Sequence, residues 1–216
     1  MQFQEKMKPL GDGFKMGGVV GHQESILGCA KGEVFIEVRT PEGEIVDRIH
    51  LHNVVTRDSS LLLARLARDP LEPKHGFNML AIGTGALGNG NIPNAPSRDQ
   101  RRLMNEIIRK PFSEITFRDE NGAASAIATR VVDYTMVVGQ TEGVGPWNEM
   151  GILSTISDNT ATIYNNPNFA GQGGEPYDTS VDVSKYDILV NYLTFPVINK
   201  PLNMILAITW RLTFGD

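Results

Sequence analysis

Residues 202–214 read Leu-Asn-Met-Ile-Leu-Ala-Ile-Thr-Trp-Arg-Leu-Thr-Phe, and this stretch decides the class of the fold. From Met204 to Phe214 every second residue is large and apolar, and Thr and Arg occupy most of the positions between them. Because successive side chains of a β-strand point to opposite faces, this period predicts a long strand with one buried face. Trp210 lies on that face, so we expect its ring in the core.

Several other segments predict strands, which makes the chain almost entirely β. Residues 31–51 indicate a hairpin, because two alternating runs flank the turn sequence Thr-Pro-Glu-Gly at 40–43. Apolar or alternating runs predict further strands at 78–83, 126–138, 150–156 and 188–197. An all-β fold follows, mainly an antiparallel β-sandwich or a jelly-roll-like fold.

Two short helices interrupt the predicted strands. The first spans 59–68, with Asp58 as its cap, a proline after it, and Leu and Ala residues on one face. The second begins at Ser97, where Ser97 and Gln100 form a capping box, and ends before Pro111. We therefore expect one or two short helices within the β fold.

The chain divides into an arm and a single domain. Residues 1–25 are polar, rich in glycine and without a regular period, so we expect an extended N-terminal arm that a partner holds in place. A frayed terminus is the alternative interpretation. Phe3 and Phe14 are among the apolar side chains with which the arm would dock. Residues 26–216 form one β-rich domain with a long polar loop at 158–179, a length at which loops are usually functional or mobile.

Length and composition exclude several classes of protein. The chain has 216 residues, enough for a core that folds without disulfides, and its one cysteine, Cys29, can form no internal disulfide. Its formal net charge of −5 argues against a protein that binds nucleic acid directly. No run of about 20 apolar residues indicates a membrane helix, and the N-terminus lacks the apolar core of a secretory signal. We expect no membrane association, and synthesis in the cytoplasm.

The glycine-rich run 83–90 follows a predicted strand and precedes a predicted helix, as nucleotide-binding loops do. A P-loop ends in Gly-Lys-Ser or Gly-Lys-Thr, whereas this run ends in Asn-Gly-Asn at 89–91. Pro93 and Pro96 postpone the helix that a dinucleotide-binding fingerprint needs to begin within its glycines. We interpret the run as a glycine turn and expect no cofactor.

His50 and His52 are the best candidates for metal ligands, because residues two apart on a strand share a face. No third ligand is evident near them in the sequence, so we expect a surface histidine pair and no bound metal. Cys29 and the serines at 59–60 lack the sequence context of a catalytic nucleophile. We therefore expect a protein without catalytic residues.

Trp147, in the run Gly-Pro-Trp-Asn at 145–148, has two interpretations. An exposed indole ring stacks on sugars, and with the loop at 158–179 it would make the chain a carbohydrate-binding β-sandwich for host-surface glycans. A buried ring would belong to the core or to an interface, which is the interpretation we favour.

Four motifs follow one another between residues 53 and 214. They are Met-Leu-Ala-Ile-Gly-Thr-Gly at 79–85, Leu-Met-Asn-Glu-Ile-Ile-Arg-Lys at 103–110, Asn-Glu-Met-Gly-Ile-Leu at 148–153, and the closing segment from Lys200 to Phe214. Their content and order resemble a pattern in structural proteins of tailed bacteriophages, written I-A-x-G-T-G, L-x-N-E-x-x-R, E-I-G-L and K…I-x-W-x-I-x-F. Residues 1–50 and the loop at 158–179 have no counterpart in that pattern.

The resemblance implies a non-enzymatic virion component in the tail, baseplate or fibre-attachment region. Such a protein assembles as a homo-oligomer with other virion structural proteins, and its final location is the virion. A capsid decoration or cement protein, whose arm clamps neighbouring capsomers, is the alternative within this class. A carbohydrate-binding module is the alternative from another class.

Three charged residues of these motifs have predicted structural roles. Glu106 and Arg109 lie three residues apart on the predicted second helix, a spacing at which they pair within the chain or across a subunit boundary. Glu149 precedes a predicted turn, where its carboxylate can accept backbone N–H groups and fix the loop. We expect all three to stabilise the structure rather than to catalyse a reaction.

Overall fold

The computed structural model describes residues 31–68, 76–88, 92–155 and 187–215. The predicted arm with Phe3 and Phe14, and the predicted loop at 158–179, lie outside these described residues. Among the described residues, the helix is too short to cross a membrane.

The described residues form eleven strands and one helix. In chain order they are β1 Lys31–Arg39, β2 Ile45–His52, β3 Val54–Val55, α1 Asp58–Arg68, β4 Met79–Gly83, β5 Glu106–Pro111, β6 Glu114–Arg118, β7 Ala124–Ser125, β8 Val131–Val138, β9 Gly145–Thr155, β10 Asp187–Lys200 and β11 Ile205–Thr213. The strands form two antiparallel sheets. Sheet A has the order β2-β1-β11-β8-β6-β7, and sheet B has the order β3-β10-β9-β4-β5. This arrangement confirms the predicted all-β, sandwich-like fold.

The main core lies between the two sheets, and β11 shows how the sequence builds it. Leu206, Ile208, Trp210 and Leu212 are buried, and the residues between them are only partly buried. Trp210 is 0% exposed, which confirms its predicted position in the core. Burial of an aromatic side chain of this size removes a large apolar area from water, so β11 contributes strongly to stability.

Sheet B is buried on both faces. All five residues of β4 are buried, which explains why this strand reads as a continuous apolar run rather than an alternating one. One face meets sheet A, and α1 packs against β10. Leu103 covers the other face, where it contacts a second cluster of buried residues, Met79, Ala81, Leu153, Leu189 and Tyr192. Leu103 belongs to the segment 84–105, which we call the motif loop and which is described at 84–88 and 92–105.

The prediction of a second helix between Ser97 and Pro111 is wrong. Ser97 instead begins a turn, in which the backbone N–H of Gln100 donates to its carbonyl and that of Asp99 to its hydroxyl. The residues that follow form β5, which pairs with β4 from Met79↔Pro111 to Gly83↔Glu106. The isoleucines of this segment suit a strand, and pairing with a buried neighbour outweighs the local helix signals.

The predicted strand boundaries differ most at the starts of β8 and β9. β8 begins at Val131 rather than at residue 126, because Thr129 holds a bend there through its hydroxyl bond to the Arg118 carbonyl. β9 begins at Gly145, so Glu149 lies inside a strand rather than before a turn.

Candidate functional site

A fully buried carboxylate, that of Glu149, joins the motif loop to sheet B. Glu149 is 0% exposed and receives four hydrogen bonds. Its Oε1 accepts the backbone N–H groups of Gly85 at 2.9 Å and Asn105 at 2.8 Å. Its Oε2 accepts the backbone N–H of Met104 at 2.9 Å and the hydroxyl of Tyr192 at 2.7 Å. These bonds bear out the predicted capture of backbone N–H groups, although the residue sits on a strand.

The amide side chains of two asparagines complete the Glu149 cluster. Asn105 donates from Nδ2 to the Thr84 hydroxyl at 2.7 Å, and Thr84 donates its N–H to the Asn105 carbonyl at 2.9 Å. Asn148 accepts the Ala86 N–H at 2.9 Å and donates to the Thr84 carbonyl at 3.1 Å. Residues of the first three motifs therefore meet in one hydrogen-bonded cluster, at the two ends of the motif loop.

Two glycines of the first motif are required by the close approach of Glu149 and its neighbours. A Cβ atom at Gly83 would lie 2.5 Å from the Glu149 Oε1 and 2.6 Å from the Asn105 carbonyl oxygen. A Cβ atom at Gly85 would collide with the Met104 side chain and lie 2.6 Å from the Asn105 nitrogen. The glycine-rich run thus serves backbone packing, which agrees with its interpretation as a glycine turn.

Tyr192 of β10 is the side-chain donor of the Glu149 cluster, and sequence analysis missed it. Burial, followed by the charge of Glu149 and the hydrogen bond to it, raises the pKa of the Tyr192 phenol far above its ordinary value. The phenol therefore stays protonated and its hydroxyl donates a hydrogen bond to Glu149. No local signal connects these two residues, because they lie on different strands.

Glu106 and Arg109 form a buried ion pair, as predicted, but on strand β5 rather than on a helix. The Arg109 Nε lies 2.6 Å from the Glu106 Oε1, and both side chains are less than 10% exposed. Residues three apart on a regular strand face opposite sides, but the register shifts between Ile82↔Ile108 and Gly83↔Glu106. This bulge turns Glu106 to the same face as Arg109.

The fourth motif contributes Lys200 and Trp210, which lie apart from the Glu149 cluster. Lys200 is 1% exposed, and its ammonium group donates to the Gln140 carbonyl at 3.0 Å. It therefore fixes the turn between β8 and β9 from the end of β10. Burial lowers the pKa of Lys200, while the nearby charge of Glu142 acts in the opposite direction.

Trp147 is buried, which settles its two interpretations. The ring is 0% exposed, and its Nε1 donates to the Gly143 carbonyl at 2.6 Å. It belongs to the same core cluster as Trp210. The favoured interpretation of a core ring is therefore confirmed, and the alternative of an exposed ring that stacks on a sugar is excluded, because no face of Trp147 is accessible to a ligand.

The outer face of sheet A carries a further buried carboxylate, that of Asp133. Its Oδ1 accepts a hydrogen bond from the Arg211 Nε at 2.7 Å, and its Oδ2 accepts one from the Arg118 Nε at 2.7 Å. Burial raises the pKa of Asp133, but these hydrogen bonds and charges outweigh it and hold the pKa below its ordinary value. The three residues link β6, β8 and β11, a connection that sequence analysis did not detect.

The predicted histidine pair gains a third neighbour. Glu33 of β1 pairs directly with His52 of β2, and the His50 Nε2 lies 3.2 Å from the Glu33 Oε1. One ligand atom from each of the three side chains lies within 4.8 Å of the other two. The sequence separation hides Glu33, although its place opposite the histidines in the predicted hairpin could have revealed it.

These arrangements differ in what they can do chemically. Glu149, Glu106 and Arg109 are enclosed by protein groups, so they can fix the fold but cannot meet a substrate. Glu33, His50 and His52 are at the surface and can meet a ligand. No protein-family profile matches this chain, and no curated protein is significantly similar to it.

Proposed function

We propose that this chain is a non-enzymatic structural component of a tailed-phage virion, in its tail, baseplate or fibre-attachment region. It assembles there as a homo-oligomer with other virion structural proteins. The observation that carries the proposal is the Glu149 cluster, because the first three motifs of the resemblance meet in it and each supplies groups that the others satisfy. Motifs that stabilise one another, and that supply no group to a substrate, support a structural role rather than a catalytic one.

The motif loop held by this cluster is well suited to present a contact surface. Ile92 and Met104 are 68% and 60% exposed, although the loop between them is fixed to α1 and β10. The Arg57 N–H donates to the Arg98 carbonyl at 2.8 Å, and the Thr194 hydroxyl donates to the Asn94 carbonyl. A rigid loop with exposed apolar side chains loses little conformational entropy when a neighbouring subunit covers it.

Strand β6 offers a second apolar surface for a neighbouring copy. Its residues Ile115 and Phe117 pair with Tyr134 and Val132 of β8, which belong to the core. The two β6 side chains therefore project from the core-side face of sheet A, yet they are 54% and 36% exposed. Both side chains remain accessible on this face, so a subunit contact would bury them.

The direct test is the protein content and labelling of purified particles. Antibodies raised against this chain should decorate the tail or baseplate of intact virions in electron micrographs, and mass spectrometry should find a fixed number of copies per particle. Labelling of the head surface would instead favour the decoration protein. A chain that is made during infection but is absent from particles would contradict the proposal.

A second experiment separates the structural proposal from the carbohydrate-binding alternative. The purified chain should give no signal on a glycan array, and it should bind to particles that lack it. The variant Ile115→Thr should weaken that binding, whereas Val46→Thr, at an equally exposed position on β2, should not. Glycan binding by a monomeric chain would favour the carbohydrate-binding alternative.

A further inference from the structure

We propose that Glu33, His50 and His52 form a binding site for a divalent transition-metal ion of the zinc class. This site is independent of the Glu149 cluster and of the proposed assembly role. It overturns the premise on which no metal was expected, namely that His50 and His52 lack a third ligand. The structure places that third ligand on the neighbouring strand.

The backbone of the β1–β2 hairpin brings the three side chains together. Glu33 and His52 are directly opposed in the ladder, and His50 lies two residues before His52 on the same face. Opposed side chains in an antiparallel pair have their Cβ atoms roughly 4.5–5.5 Å apart, and side chains two apart on one strand are neighbours on that face. The spacing of the ligands is therefore set by regular strand geometry, and no loop has to become ordered.

The distances suit an ion of tetrahedral preference after a small adjustment. The three donor atoms lie within 4.8 Å of one another, and the His50 Nε2 is already 3.2 Å from the Glu33 Oε1. An ion that binds nitrogen and oxygen at about 2.0–2.2 Å would hold tetrahedral ligands roughly 3.4 Å apart. The Glu33 side chain is 40% exposed, so it can rotate by this amount.

A neighbouring ring orients one of the ligands. The His50 imidazole stacks on the Phe35 ring, with centroids 4.6 Å apart and an interplanar angle of 6°. The His52 ring lies 4.9 Å from that of His50. Because the stack restricts the orientation of His50, less side-chain entropy is lost when the metal binds.

The charges around the site leave the carboxylate available. Arg211 faces Glu33 across the ladder, but its guanidinium group makes two hydrogen bonds to Asp133. The next carboxylate along β1, that of Glu37, pairs with Arg39 and Arg48. The ion-pair contact of Glu33 is instead with His50, a metal ligand of the proposed site.

The donor set selects the class of metal. Two imidazoles and one carboxylate favour zinc and its first-row neighbours, whereas calcium and magnesium prefer oxygen ligands alone. Three protein ligands leave a fourth position for water or for a group of another molecule. A bound ion would also join the edge strand β2 to β1, so it should raise the midpoint of thermal unfolding.

The experiment is a calorimetric titration of the full chain, freed of metal by chelator, with zinc chloride in a buffer that does not bind metal. One zinc ion per chain should bind. The variants Glu33→Gln and His52→Gln should each weaken zinc binding by at least about tenfold. Both positions are at the surface, and a circular dichroism spectrum will verify that the variants fold.

The chain supplies its own matched control. The double variant His22→Gln and His75→Gln removes the two other histidines of the four in the sequence and should bind zinc as tightly as the unchanged chain. Cobalt(II) should give the intense visible absorption of a tetrahedral site, and Glu33→Gln should abolish it. The proposal is overturned if zinc gives no binding heat up to about 1 mM. It is equally overturned if Glu33→Gln binds zinc unchanged, or if the control variant is the one that loses binding.

Discussion

Asp133 of sheet A and Glu149 of sheet B are both almost fully buried on the face turned away from the main core, and the two carboxylates are satisfied in different ways. Asp133 of sheet A accepts hydrogen bonds from the guanidinium groups of Arg118 and Arg211. Glu149 of sheet B accepts them mainly from the backbone of the motif loop. The first carboxylate therefore links regular strands through side chains, and the second fixes an irregular segment.

This difference predicts different costs when each carboxylate is replaced. The partners of Asp133 are about 30% exposed, so water can solvate them after its loss. Most partners of Glu149 are backbone N–H groups of the motif loop. These groups cannot reach solvent unless the loop detaches from sheet B. A buried N–H that loses its acceptor costs about 1–3 kcal/mol, so Glu149 should matter more to the free energy of unfolding.

The largest loss of unfolding free energy should come from a substitution in the core that both sheets share. This loss is the reference for the smaller effects of the other variants. Trp210→Ala should lower the free energy of unfolding by about 3–5 kcal/mol, measured by urea denaturation. Among the described residues the Trp210 Nε1 has no hydrogen-bond partner, so Trp210→Phe should cost less. An unchanged unfolding midpoint for Trp210→Ala would contradict the assignment of β11 as a core strand.

The next effect is that of Glu149→Gln, which we expect to cost about 2–3 kcal/mol in the same measurement. The amide nitrogen of glutamine cannot accept the hydrogen bonds that one of the carboxylate oxygens receives now, so at least one backbone N–H is left without an acceptor. Tyr192→Phe removes a single donor and should cost about 1 kcal/mol. If Glu149→Gln is no more destabilising than Tyr192→Phe, the backbone bonds do not hold the loop.

A smaller effect, visible mainly in acid, is expected for Asp133→Asn. The pKa of Asp133 in the folded chain lies below its ordinary value, so its ionised form stabilises the fold at neutral pH. That contribution is lost as the pH falls through the unfolded-state value of about 3.9 towards the lower folded pKa. The variant should therefore lose less stability than the unchanged chain between neutral pH and about pH 3.

The control for this acid measurement is Asp47→Asn, because Asp47 is an exposed carboxylate on β2. It should leave the pH dependence of urea unfolding as it is in the unchanged chain. Equal slopes for Asp133→Asn and the unchanged chain would show that the guanidinium pair contributes nothing to acid stability.

The smallest effect on stability should follow removal of residues 1–21. Because these residues are polar and glycine-rich, the free energy of unfolding should change by less than about 0.5 kcal/mol. Incorporation into particles should weaken, since the arm is expected to become ordered only on a partner. A truncated chain that is incorporated as well as the full chain would remove the arm from the assembly.

The same contrast between the sheets explains what the sequence could predict. The hairpin of β1 and β2 and the strand β11 follow from local alternation, because one face of each meets the core and the other meets solvent. Strand β5 did not follow, since its residues carry a helical spacing and a capping signal, and pairing with β4 decides their structure. Alternating patterns in the sequence reveal strands that have one exposed face. Sheet B is buried on both faces, and its strand order depends on partners that are distant in the sequence.

For the candidate sites, the chemistry of single residues was predictable from the sequence, but their partners in space were not. The capture of backbone N–H groups by Glu149 was predictable from its chemistry, but its donors lie 43 to 64 residues away along the chain. The ion pair of Glu106 and Arg109 was predictable from charge, but a bulge rather than a helical turn unites them. Glu33 was missed because a strand register, and not a motif, places it beside His50 and His52.

The pairing of β1 with β11 sets an order on events at the ribosome. Lys31 lies opposite Thr213 and Arg39 opposite Ile205, so the inner edge of β1 pairs with β11, the last strand of the described residues. The β1–β2 hairpin is synthesised before β11, and isolated hairpins are marginally stable in water. Closure of sheet A therefore requires a long loop to close, which makes slow folding and a need for protection of the nascent chain the natural expectation.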